Sequence, residues 1–266
     1  MRQATRPHTA IMTNRIDERL RDAMAAGRTI LAPFVTIGFP DVDTSVDVAE
    51  AALEAGADLV ELGVPFSDPL AEGTTIQMTS FRALQQGITV RACLEAVRRL
   101  RQRKPDAPLL LMGYYNPFLR YGLDRFAEDA SEAGVDGLIV PDLPPEETGA
   151  LLRTTRNRGL RLIPLLAPTS TEERITQACK GAGGFIYCVS VTGVTGARVA
   201  LREGLSGLVG KIRQHTDLPI LVGFGISTPE HVREVSQFSD GAIFGSALID
   251  AIADVPRAQA AQKSRE

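Results

Sequence analysis

Short apolar runs alternate with longer amphipathic stretches along the whole 266-residue chain. The runs fall at 30–37, 59–62, 109–114, 138–140, 162–166, 185–190, 220–223 and 242–245. They are rich in Leu, Ile and Val and lack a polar residue at every second position, the pattern of parallel strands buried on both faces. Helical spacing predicts helices between them at 43–55, 74–104, 123–133, 145–157, 171–180, 205–215 and 228–238. The second of these is interrupted at Gly87 and divides into two. A further helix begins at Ser246, and an extra one at 15–26 precedes the first run. Ser170-Thr171-Glu172-Glu173 and Ser227-Thr228-Pro229-Glu230 place hydroxyl caps ahead of acidic first turns.

A weak repeat supports the count. Ala55-Gly56-Ala57-Asp58, Ala133-Gly134-Val135-Asp136, Ala182-Gly183-Gly184 and Ser239-Asp240-Gly241 each end a helix on a small residue and turn directly into a strand. Eight strands, each followed by a helix, predict an α/β fold: a single (β/α)8 TIM barrel over 14–266 with an extra N-terminal helix. An open doubly wound sheet is the alternative, and the absence of a glycine-rich dinucleotide loop after the first strand argues against it. Residues 1–13 are polar, lack the apolar core of a signal peptide, and are expected to form a disordered extension.

Composition changes this picture little. The chain is 44% hydrophobic and 23% charged, and its length suits one barrel of about 250 residues. A net charge of -3 offers no basic face for nucleic acid. Arg98, Arg99, Arg101, Arg103 and Lys104 sit at the end of an amphipathic segment and are expected to be a solvated helix end. No apolar run approaches the roughly 18 residues of a membrane span. Cys93, Cys179 and Cys188 have neither paired nor metal-ligand spacing, which points to a reducing, cytoplasmic setting. His8, His215 and His231 are scattered, so no metal site is expected.

In a barrel of this kind the chemistry belongs at the C-terminal strand ends. The second run ends Leu59-Val60-Glu61-Leu62-Gly63, placing the Glu61 carboxylate in a buried apolar setting. Burial raises a carboxyl pKa toward the range useful for acid–base catalysis, although a buried ion pair would also account for a Glu there. The following loop, Val64 to Gly73, brings Asp68 and Glu72 to the same mouth. Glycines close the seventh and eighth runs at Gly223-Phe224-Gly225 and Phe244-Gly245-Ser246, where free backbone N–H groups and a helix start suit phosphate. The Gly/Thr-rich segment 191–198 could close over a ligand. No lysine stands at a predicted strand end to form a Schiff base.

At these residues the chain resembles the α subunit of tryptophan synthase. The matching segments are Glu61-Leu62-Gly63-Val64-Pro65-Phe66-Ser67-Asp68-Pro69-Leu70-Ala71, the stretch 134–144, 190–198, 223–227 and Gly245-Ser246. The resemblance implies a cofactor-free barrel that cleaves indole-3-glycerol phosphate to indole and glyceraldehyde 3-phosphate. It also implies a β subunit that receives the indole within an α2β2 assembly. Carried over by position, Glu61 is the acid–base carboxylate and Glu72 the second carboxylate, which holds the indole N–H. Phe34, Tyr114, Ile139, Tyr187, Thr195 and Ile243 would line the indole pocket. Gly196, Phe224, Gly225, Gly245 and Ser246 would hold phosphate, and Asp142 would help position the loops. The chain departs from the family at Glu72, usually Asp, and at Thr74, often Pro. Glu72 keeps the charge and adds a methylene, which leaves a stand-alone lyase and a weakly active allosteric partner as alternative readings.

Overall fold

A computed structural model describes residues 14–189, 198–223 and 225–266, with the backbone alone at 198–202 and 258. Helix α1 (Arg15–Ala25) precedes β1 (Ile30–Thr36). Then follow α2 (Val42–Glu54), β2 (Val60–Gly63), α3 (Thr74–Gln85), α4 (Val90–Arg103) and β3 (Leu109–Met112). The middle of the chain holds α5 (Tyr115–Tyr121), α6 (Leu123–Ala133), β4 (Gly137–Ile139), a 3-10 turn (Pro145–Glu147) and α7 (Gly149–Asn157). Next come β5 (Arg161–Ile163), β6 (Leu165–Leu166), α8 (Glu172–Gly181), β7 (Ile186–Val189) and α9 (Arg198–Arg213). The chain finishes with β8 (Ile220–Gly223), α10 (Pro229–Val235), β9 (Gly241–Phe244), α11 (Ser246–Ile252) and α12 (Arg257–Lys263).

Every strand pairing is parallel, in the order β5-β4-β3-β2-β1-β9-β8-β7-β6. The two ends of that order, β5 and β6, are one strand interrupted by Pro164. Proline has no N–H to donate, so the ladder to β4 stops at Ile163. The Pro164 carbonyl instead accepts from Tyr187 N–H at 3.0 Å, which carries the strand over to β7 and closes the barrel. The run expected at 162–166 is therefore one staggered strand, and the eightfold count holds.

Although the runs look continuous in sequence, their residues sort by parity onto two faces. Ala32, Phe34, Leu110, Met112, Ile139, Ile163, Tyr187, Leu221 and Ile243 fill the barrel interior, while Val35, Leu62, Leu111, Leu138 and Leu162 pack outward against helices. Glu61 pairs in register with Phe34 and Leu110, both interior, so it points inward.

The N-terminal end is sealed by α1, whose Ile16, Leu20 and Ala23 are buried in the interior cluster. Three of the four helix-to-strand repeats carry an aspartate with a defined role here. Asp58, Asp136 and Asp240 each accept the N–H of a neighbouring strand's start: Leu31 at 3.1 Å, Leu109 at 2.9 Å and Ile220 at 2.7 Å. Each also takes an arginine: Asp58 binds Arg19 and Arg28, Asp136 binds Arg15 and Arg101, and Asp240 binds Arg213. Arg99, Arg103 and Lys104 are not simply solvated, because they pair with Asp43, Asp47, Glu50 and Glu54 along α2. Among the described residues, no helix is long and apolar enough to cross a membrane.

Candidate functional site

The upper interior of the barrel is hollowed by glycines. A Cβ on Gly63 would lie 2.4 Å from the Phe34 ring, one on Gly223 would lie 2.3 Å from the Tyr187 hydroxyl, and one on Gly245 would lie 3.1 Å from Phe34. Their missing side chains let two aromatic rings lie across the mouth and leave room beside them. The resulting cavity of about 330 Å³ is lined by Phe34, Glu61, Met112, Tyr187 and Ile243 on the strands. The loop and helix residues Glu72, Gly73, Thr74, Thr75 and Ile76 line it too, as do Gly225, Ile226, Ser227, Phe244, Gly245 and Ser246. Its size falls within the usual range of about 300–1,000 Å³ for small-molecule sites.

Glu61 is fully buried, and neither carboxylate oxygen has a hydrogen-bond partner among the described residues. Burial, and secondarily the facing Glu72 carboxylate, hold its pKa well above the ordinary value. Glu72, partly exposed in the loop after β2, is pushed up to about 7 by burial. Both carboxyls therefore keep a proton to higher pH than an ordinary glutamate. Tyr187, buried beside both, is driven well above its ordinary pKa by desolvation and then by the two glutamates, so it stays a phenol.

The other expected residues take distinct places. Gly225, at φ +74, and Gly245, preceding α11, line the cavity together with Ser246. Ile139 is buried in the barrel interior. Tyr114 lies beyond the cavity lining: its ring stacks on Phe66 at 4.9 Å and its hydroxyl accepts from Ala71 N–H at 3.0 Å. Asp142 accepts from Tyr115 N–H at 2.9 Å. Asp68 takes the hydroxyl of Ser67 at 2.5 Å and stays at the exposed turn. Thr195, Gly196, Phe224 and the glycine-rich closing segment lie outside the described residues, as does the extension at 1–13.

Sequence reasoning assigned no role to Met112, Gly73, Thr75 or Ile76, and named Ile226, Ser227 and Phe244 only within longer segments. Met112 was available from register, being two residues after the interior Leu110 on β3. The loop residues carried no comparable signal. Among the described residues no cluster of His, Cys, Asp and Glu is arranged for a metal ion.

Fold and site together define a (β/α)8 barrel with a two-carboxylate cavity at its C-terminal mouth. The tryptophan synthase alpha chain family model matches residues 20–266. A tryptophan synthase alpha chain of Roseiflexus sp. (strain RS-1) is 52% identical over 243 residues, covering 91% of this chain and 93% of that relative. One of Chloroflexus aggregans is 52% identical over 237 residues, covering 89% of each. Among solved structures, the alpha chain of Legionella pneumophila subsp. pneumophila superposes with a TM-score of 0.86 at 38% identity, covering 95% of this chain and 94% of that one. The chain belongs to the tryptophan synthase alpha chain family.

Proposed function

We propose that this chain is a carbon–carbon lyase that cleaves indole-3-glycerol phosphate to indole and glyceraldehyde 3-phosphate. In this reading it works in the cytoplasm as the α subunit of an α2β2 tryptophan synthase, needs no cofactor, and passes indole to its β subunit. The observation that carries it is Glu61: fully buried, without a partner for either oxygen among the described residues, and set in the wall of a cavity it shares with a second carboxylate.

The chemistry follows from those two groups. Neutral Glu61 gives its proton to indole C3, leaving the ring cationic. The resulting carboxylate takes the proton of the side-chain hydroxyl on the carbon attached to C3. The O–H electrons form the aldehyde C=O while the C3–C bond breaks and returns its pair to the ring. Glu61 ends protonated, and no water is consumed. Ionised Glu72 accepts the indole N–H and stabilises the positive charge that develops between the two proton transfers. Phe34, Tyr187 and Ile243 supply the apolar walls for indole, with Ile139 assigned there by the family likeness alone. Gly225, Gly245 and Ser246 offer backbone N–H groups to the phosphate, with Gly196 and Phe224 assigned there by the family likeness and Thr195 to the indole side. Tyr114 and Asp142 act on the loops.

The test is indole release from indole-3-glycerol phosphate by the chain alone and with a β subunit. Glu61→Gln is expected to lower kcat by about 10²–10⁴-fold. A parent without lyase activity in either condition, or a Gln variant as fast as the parent, overturns the reading. Strong activation by the β subunit supports the α-subunit role, and equal turnover without it favours a stand-alone lyase.

A further inference from the structure

Glu72 sits on a loop, and a loop carboxylate is only as well aimed as the loop is held. Among the described residues, segment 67–72 is hydrogen-bonded to itself, to Gln77 of α3, and at one further point, where Ala71 N–H donates to the Tyr114 hydroxyl at 3.0 Å. That contact is immediately before Glu72. Tyr114 is itself firmly placed, being 6% exposed with its ring stacked on Phe66 at the other end of the same loop. The backbone leading to it continues the barrel ladder, with Val64 N–H donating to the Met112 carbonyl at 2.8 Å and Gly113 N–H to the Ile139 carbonyl at 3.0 Å. The next residue, Tyr115, donates its N–H to Asp142 in the loop after β4.

We propose that Tyr114 is a positioning residue for Glu72: braced by Asp142 through Tyr115, it fixes the loop at Ala71 and so sets where the Glu72 carboxylate lies. The relay crosses the loops after β2, β3 and β4 without touching the reacting atoms. It matters most for a glutamate, whose extra methylene gives the carboxylate a wider arc than the usual aspartate. The proximity is mutual, since Glu72 is second only to burial among the influences that disfavour ionisation of Tyr114. The proposal rests on the function proposed above, in which Glu72 holds the indole N–H.

Tyr114→Phe keeps the ring and its stack while removing the acceptor, so it tests the tie without emptying the core. Two readouts are needed. Hydrogen exchange of a peptide covering 66–73 is expected to speed at least about tenfold, because the Ala71 amide loses its partner. Indole release is expected to lose about tenfold in kcat with KM within twofold, the split expected of misaimed chemistry with intact binding. In a Glu72→Gln background the same substitution is expected to change kcat less than twofold, because the group it aims is gone. Equal kcat losses in both backgrounds, or faster exchange with kcat unchanged, overturn the proposal. A parent that releases no indole defeats the functional reading, and unchanged exchange then defeats the relay separately.

Discussion

Replacing Glu61 by Gln separates the cost of burying a carboxyl from everything else in the barrel, and pH exposes it. In the unfolded chain a glutamate titrates near 4.3. In the folded chain Glu72 holds its proton to about 7, and Glu61 holds its own well above the ordinary range. Across that interval the native state binds more protons than the unfolded one, so stability is fully present below the unfolded pKa and is lost as pH rises toward the folded values. A carboxyl that keeps its proton only in the folded state contributes a slope of up to about 1.4 kcal/mol per pH unit, and Glu72, titrating at about 7, contributes about 2.2 kcal/mol between pH 5 and 7. For a chain of this size that is on the order of 5–10 °C in Tm per group. The paired carboxylates Asp43 and Glu54, whose pKa values are lowered by their basic partners, titrate below this window. Urea unfolding at constant ionic strength from pH 5 to 8 measures the slope for the parent and for Glu61→Gln. The orphaned amide of the variant costs about 1–3 kcal/mol at every pH, so the slopes are compared and not the absolute values. The variant is expected to lose roughly half of the decline between pH 5 and 7. Parallel pH dependences for the two proteins would refute the assignment of a buried, proton-holding Glu61.

Other consequences are simpler to check. Glu72→Gln is expected to fold normally and to lower kcat about 100-fold, and it should remove the limb of the pH–rate profile near pH 7 that Glu72 ionisation gives the parent. Gly223→Ala drives a methyl into the Tyr187 ring, and chemical denaturation should show a loss of about 1–3 kcal/mol together with a raised KM as the cavity narrows. Asp136→Ala strips the acceptor from Arg101, Arg15 and Leu109 N–H at once and should cost about 3–5 kcal/mol, whereas Arg98→Ala, which breaks only an exposed pair, should stay within about 0.5 kcal/mol.

The barrel was legible because its strands are buried on both faces and its helices on one, so hydrophobic content alone separates them. Helix α6 falls at Leu123–Ala133, the expected bounds, because Gly122 and Gly134 punctuate both ends. Helix α12 was not legible. Its RAQAAQK sequence has no apolar stripe, and it is held on α2 by Arg257 to Asp43 and Asp47 and by Arg265 to Glu54 just beyond its end. Those partners lie more than 200 positions away in sequence. Helix α5 is only seven residues long and follows a strand directly, so its apolar residues merge with the run before it. At the site, the residue types announced the chemistry at Glu61 and the phosphate end. The division of labour between Tyr187 in the cavity and Tyr114 above it depends on which ring faces which glycine and which amide. Neither relation has a signature along the chain.

The molecule contains its own control for the inference drawn from Glu61. A buried carboxylate is weak evidence of function when it is paired, because structural ion pairs are common. Asp58 and Asp136 are 1% and 3% exposed, as deeply placed as Glu61 at 0%. They stand at the closed end of the same barrel, and each is matched by a backbone N–H and two arginines. The chain therefore has the means to satisfy a buried carboxylate and uses it where the barrel must be held shut. At the open end no donor among the described residues reaches either Glu61 oxygen, and a second carboxylate shares its cavity. Stability alone would favour an apolar residue such as Leu at that position, or an arginine beside it. An unpaired, raised-pKa glutamate in the wall of a ligand-sized cavity is instead what a group needs in order to give a proton away and take one back.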